Sequence, residues 1–172
     1  YQEFNEEQRL ALNHWLYYLH YFRINDGEIF VTIVNDLIAQ LLTPYEPEIA
    51  ELLLRENLEE QDHIKAFQLV REHIAHYYGY DSIQFPTKPF RKVFIAPQTT
   101  QWLVNYFGVD FIVVYFLGRG LINHMGKGFE TAVAKTTSEK NSHYHYLSKL
   151  HTFHENHHMA VSHFMSSKGR DL

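Results

Sequence analysis

Cysteine is missing altogether from this 172-residue chain. That excludes a disulfide scaffold, an iron–sulfur centre and a thiolate zinc site, so any metal must be bound through imidazole and carboxylate. Long apolar runs are missing too: the most apolar window, Phe107 to Leu117, is too short to span a bilayer and contains Asp110. No N-terminal segment joins a basic start to an apolar run, so no signal peptide is visible, and the chain is expected to be soluble and cytoplasmic without a membrane partner. An excess of positive charge is likewise absent. The formal net charge is −5, which gives no reason to expect nucleic acid and favours small molecules or proteins as partners. Nor is there a heptad array, a low-complexity tract, a Gly-rich phosphate loop or a G-x-S-x-G elbow.

Histidine is what the chain has in excess, with 13 residues, together with 13 Phe, 12 Tyr and 2 Trp. The length suits a core that needs no disulfide, so residues 1–172 are expected to form a single helical domain, a longer parent chain remaining open. Asn5 can cap a helix with Glu6 and Glu7 in its first turn, and apolar residues recur from Leu10 through Phe22 to about Asn25, where Gly27 is expected to end it. A second, nearly all-apolar stretch from Glu28 to Leu42 predicts a buried helix that stops before Thr43 and Pro44. Pro47 sits where a first turn tolerates proline, and Glu48 to about Tyr78 predicts a long amphipathic helix ended by Gly79.

From Tyr80 to Pro97 the periodicity fails, with Pro86 and Pro89 among aromatics, which predicts an irregular crossover resembling a substrate lid. Thr99 or Thr100 then caps an apolar helix from Trp102 to about Met125, whose Gly108, Gly118 and Gly120 imply kinks or close packing. A short segment from Phe129 to Ala134, a turn over Thr136 to Asn141 and a histidine-rich helix from Tyr144 to about Met165 complete an all-α reading.

Two of these helices carry Glu-x-x-His, at Glu60 to His63 and at Glu155 to His158. A Glu and a His three residues apart face the same side, so both reach one metal, or one bridges to a second. One such pair arises readily by chance in a chain rich in both residues; two at matched offsets carry more weight. Glu28 lies 32 residues before Glu60, and reflection across the Thr43 to Pro47 turn puts the two at similar depth. A carboxylate on so apolar a helix needs a partner, because burying it unpaired is costly. A similar offset from Glu155 lands on His124, 31 residues earlier, where the repeat wants a Glu; Glu130 is the nearest acid but sits one to two turns away. His151 forms a stripe with Glu155 and His158, with His154 at its edge and His157 and His163 pointing elsewhere.

The expected metal ligands are therefore Glu28, Glu60, His63, His151, Glu155 and His158, with His124 as an irregular seventh. Glu28, Glu60 and Glu155 are the carboxylates expected to serve catalysis. Such oxygen and imidazole donors suit an iron or manganese pair, with zinc also open. Taken singly, each Glu also reads as a surface helix acid and each His as a core imidazole. His14, His20, His73, His76, His145 and His157 read as structural or exposed. The aromatic stripe that includes Trp15, Tyr18, Phe67 and Tyr115 reads as core, or as the wall of a dry substrate pocket. Arg119, inside an otherwise apolar helix, either snorkels to the surface or holds a substrate carboxylate.

At these residues the chain resembles the AurF family of di-iron oxygenases, named for p-aminobenzoate N-oxygenase. The family's order of Glu, Glu-x-x-His, Glu and His-x-x-x-Glu-x-x-His is met by Glu28, Glu60-Gln-Asp-His63 and His151-Thr-Phe-His-Glu155-Asn-His-His158. The similarity runs from about Gln8 to Phe164, and the last motif is its most specific part. The family's third glutamate falls on His124 without a gap, or near Arg119 and Gly120 with one.

This resemblance implies a ferritin-like four-helix bundle with additional helices and a long crossover loop, holding two Fe ions or a Mn/Fe pair. It implies a non-heme dimetal-carboxylate oxidoreductase that uses O2 to oxidise a small-molecule or carrier-bound organic substrate in biosynthesis. A ferredoxin or reductase is its expected external electron donor, and a homodimer is compatible with it. N-oxygenation and C–H hydroxylation are the expected reactions. The missing third glutamate adds halogenation, by analogy with the related CylC-like dimetal halogenases. Ferritin-like metal oxidation and storage is the alternative function, and a bundle with incidental zinc at His154 and His158 the non-catalytic one.

Overall fold

The computed structural model describes residues 2–81, 83, 97–136 and 143–168, and among these the chain is all-helical. Its elements are α1 (Glu6–Leu42), α2 (Pro47–Tyr77), α3 (Pro97–Phe107), α4 (Val109–Thr136) and α5 (His143–Lys168). The start of α1 is set by the cap expected from the sequence. Asn5 Oδ1 accepts from Gln8 N at 2.9 Å, while Gln8 Oε1 accepts from Asn5 N at 3.0 Å, so two otherwise orphaned donors satisfy each other's residues.

The two helices expected before and after Gly27 are one continuous helix of 37 residues. A glycine inside a helix costs only about 1 kcal/mol, and packing of α1 along α2 offsets it. Along this contact Tyr21 stacks on Phe67 at 4.7 Å between ring centroids, and further along Asn35 donates to Glu56 at 3.2 Å. These pairs make α1 and α2 an antiparallel hairpin. Gly79, with φ of 76°, follows the end of α2 as expected, since a left-handed residue after a helix suits glycine.

The single helix expected from Trp102 to Met125 is instead two. Gly108 has φ of 54° and separates α3 from α4. α3 begins at Pro97, ahead of the expected threonine cap, and α4 continues through Gly126 and Gly128 to absorb the segment from Phe129 to Ala134. α4 and α5 form a second antiparallel pair. At Gly120 the expected close packing is met, for a Cβ there would stand 3.5 Å from Ser162 Cβ. The expected crossover from Tyr80 to Pro97 and the turn over Thr136 to Asn141 fall for the most part outside the described residues.

Two apolar clusters fill the interior. One joins Val34 and Ile38 of α1, Leu53 of α2, Phe116 of α4 and Met165 of α5; the other centres on Tyr17, Tyr21, Phe67 and Ile74. Between them lies a belt of buried Glu and His. No helix among the described residues is long and apolar enough to cross a membrane.

Candidate metal centre

Three helices supply the acids and imidazoles at the centre of the belt. α1 brings Glu28, α2 brings Glu60 and His63, and α5 brings His151, Glu155 and His158, all buried. They sort into two groups able to hold a metal ion: Glu28, His63, His151 and Glu155 in one, Glu60, Glu155 and His158 in the other, with donor atoms within 4.8 Å of one another in each. Donors on one ion at bond lengths of about 2.1 Å lie up to about 4.2 Å apart, so closing either group needs shifts of only tenths of an ångström. Glu155 belongs to both groups and is placed to bridge them. Its Oε2 is buried without a hydrogen-bond partner, an unsatisfied oxygen that a cation between the groups would satisfy.

Within the cluster the helical i,i+3 spacing does what the sequence implied. His63 Nδ1 lies 3.0 Å from Glu60 Oε2, and His158 Nδ1 lies 3.0 Å from Glu155 Oε1. His151 turns Nε2 toward Glu28 Oε1 at 3.4 Å and Glu155 Oε1 at 3.5 Å. The outward nitrogens are also engaged. His63 Nε2 meets His154 Nδ1 at 2.9 Å, His158 Nε2 meets Glu59 Oε2 at 3.1 Å, and His151 Nδ1 donates to Glu130 Oε1 at 2.8 Å. Each imidazole thus faces the cluster with one nitrogen and is oriented through the other, the arrangement that fixes tautomer and ring angle in metal-binding histidines.

Considered as side chains alone, the cluster balances its charge with protons. Burial and repulsion from Glu60 push Glu28 well above the usual carboxylate range. Burial works in the same direction on Glu60, but hydrogen bonds with Glu28 and His63 and the charges of His158 and Arg119 hold it below that range. For His158, burial disfavours the charge, yet the hydrogen bond to Glu155 and the nearby carboxylates raise its pKa to about 9. His151 is raised well above its ordinary value in the same way, against burial, by Glu130 and Glu28. Glu130, also against burial, is drawn down to about 2 by His151 and His20. Divalent cations would displace the protons on Glu28, His151 and His158, since ligands bind deprotonated.

No family model, no curated protein and no solved structure matches this chain. Its chemistry therefore has to follow from its own donors and their surroundings.

His124 is exposed on α4 and stands outside both donor groups. The acid that α4 sends inward is Glu130, which also accepts from His20 at 3.2 Å and from Thr152 at 3.0 Å. Arg119, expected to snorkel or to hold a substrate carboxylate, is buried and donates to Glu56 at 2.7 Å and Glu60 at 2.9 Å. Sequence reasoning missed Glu56 and Glu59 as partners of the cluster, placed His154 at the edge of its stripe without its contact to His63, and read His20 as structural or exposed. Glu56 had a visible signal, one helical turn before Glu60 on the same face; the others depend on which helix comes to lie alongside.

α2 and α5 touch through the imidazoles, whereas α1 and α4 meet at His20 with Glu130 and at Asn35 with Tyr115 and leave a cavity of about 450 Å³ between these contacts. Glu28, Glu60, His151 and Glu155 line it, so the donor cluster forms part of its wall. Ile24, Val31, Phe111, Val114 and Ile122 make the rest largely apolar, and Gly27, Gly118 and Gly126 open the space by having no side chain to fill it.

Proposed function

We propose that this chain is a ferritin-like dimetal-carboxylate oxidoreductase, related to the AurF-type di-iron oxygenases, that uses O2 to oxidise an apolar organic substrate. The observation that carries this reading is the pair of buried donor groups joined through Glu155 and opening on an apolar cavity. Two iron ions, or a manganese–iron pair, would be held by Glu28, His63, His151 and Glu155 on one side and by Glu60, Glu155 and His158 on the other. Once bound, they supply the redox chemistry with O2, fed by an external donor such as a ferredoxin or reductase.

The chain's own residues bind, orient and shield. Glu130, Glu59 and His154 hold the three imidazoles in place, the apolar walls position the substrate, and exclusion of water protects a reactive centre. Halogenation stays within the reading beside N-oxygenation and hydroxylation, because Glu130, the α4 carboxylate lining the cavity, is engaged behind His151. Ferritin-like oxidation and storage is the competing reading; a storage site needs an ion path lined by acids, and the cavity surface here is largely apolar away from the donor cluster.

Anaerobic loading with Fe(II), a metal count and an O2-dependent optical change test the proposal. Two metals per chain are expected, both lost in Glu155→Ala. One metal or fewer, unchanged by that substitution, would overturn it, and sustained oxidation of excess Fe(II) without an organic substrate would favour storage.

A further inference from the structure

The two donor groups are not electrostatically alike. Arg119 is 4% exposed, and its Nη2 lies 2.9 Å from Glu60 Oε1. That same oxygen stands 3.2 Å from His158 Nδ1, so the guanidinium engages the Glu60 carboxylate on the oxygen that faces His158 of its group. Its other arm is tied down, with Nη1 at 2.7 Å from Glu56 Oε2, and Asn35 donates to that same Glu56 oxygen at 3.2 Å. Tyr115 in turn donates to Asn35 at 3.4 Å. An arginine cannot shed its proton to make way for a cation as a histidine can. The Glu28, His63, His151 and Glu155 group has four donors against three in the other.

We infer that the two metal positions are unequal by construction. The four-donor group takes a divalent cation tightly, while the three-donor group, with a permanent cation on its Glu60, takes one weakly. The chain therefore loads in order and passes through a stable one-metal form, and Arg119 sets the affinity of the second position. This rests on the dimetal reading above.

The test is a titration of the metal-stripped 172-residue chain with Mn(II), following free Mn(II) by electron paramagnetic resonance and bound stoichiometry by native mass spectrometry. Two steps separated by at least about tenfold in free metal are expected, the scale on which a neighbour of a ligand moves metal affinity. In Arg119→Met the second step should tighten by about tenfold or more, while Arg119→Lys, which keeps the charge, should leave it weak. His158→Gln should abolish only the weak step and His63→Gln should weaken the tight one, so the assignment remains testable even where Arg119→Met does not fold. Two equal or cooperative sites, a second step unmoved by Arg119→Met, or loss of the tight step in His158→Gln would each overturn the inference while leaving the dimetal reading intact. Absence of any Mn(II) binding would overturn both.

Discussion

Raising the pH of the metal-stripped protein takes the proton from His158 and leaves two buried carboxylates, Glu60 and Glu155, against a neutral ring. His158 has its pKa raised in the folded chain from 6.5 to about 9. A raised pKa means that the folded state holds the proton more tightly than the unfolded one. The contribution to stability is therefore fully present below pH 6.5 and is lost as pH rises through about 9. That interval corresponds to about 3 kcal/mol, and for a chain of this size Tm should fall by roughly 6–12 °C. His151 and Glu28 act in the same direction, because both are raised. Glu60 and Glu130 are lowered, so their contributions are lost only as pH falls below the usual carboxylate range and are constant in this window.

With a divalent metal bound the sign reverses. Binding displaces the same protons, so the metal's stabilisation grows with pH. Differential scanning fluorimetry between pH 6.5 and about 9.5, once with chelator and once with excess Mn(II), measures both slopes. A Tm in chelator that stays level or climbs, or an unchanged slope in His158→Gln, would refute the reasoning.

Phe67 is fully buried, stacks on Tyr21 at 4.7 Å and lies edge-on to His151 at 5.0 Å. Phe67→Ala should lower the unfolding free energy by about 3–5 kcal/mol in urea melts; a loss below about 1 kcal/mol would mean that the belt of charged residues does not lean on this aromatic cluster. Gly126 lines the cavity, and a Cβ built there meets nothing within 4 Å. Gly126→Leu should therefore fold, keep its full metal count and lose organic-substrate oxidation, whereas retained oxidation would show that the cavity is not the substrate's place.

Reading across a turn recovers depth along a helix but not rotation about its axis, and the residues on α4 show the difference. Glu130 meets His151, and Gly120 meets Ser162 across the α4 and α5 pair, so His124 does lie level with the region of His158, as the offset implied. Yet it is exposed. The six residues from 124 to 130 turn the helix by roughly 600°, which is about 240° of net rotation, and that rotation puts Glu130 inside and His124 outside. Gly27 illustrates the same limit, since its local preference for ending a helix is outweighed by contacts with α2 that no window of sequence contains.

Local spacing by itself determined the all-helical architecture, the capped start of α1 and the placing of Glu60 with His63 and of His151, Glu155 and His158 on common faces, because hydrogen bonding and the helical period act within a few residues. The tertiary structure decided which faces meet. It set Glu130, Glu59 and His154 behind the three imidazoles, opened a cavity between α1 and α4, and turned Arg119 inward onto Glu56 and Glu60. A buried charge is tolerated only where packing brings its partner within reach, and here that partner comes from another helix, 59 residues from Arg119 in the chain for Glu60 and 63 for Glu56.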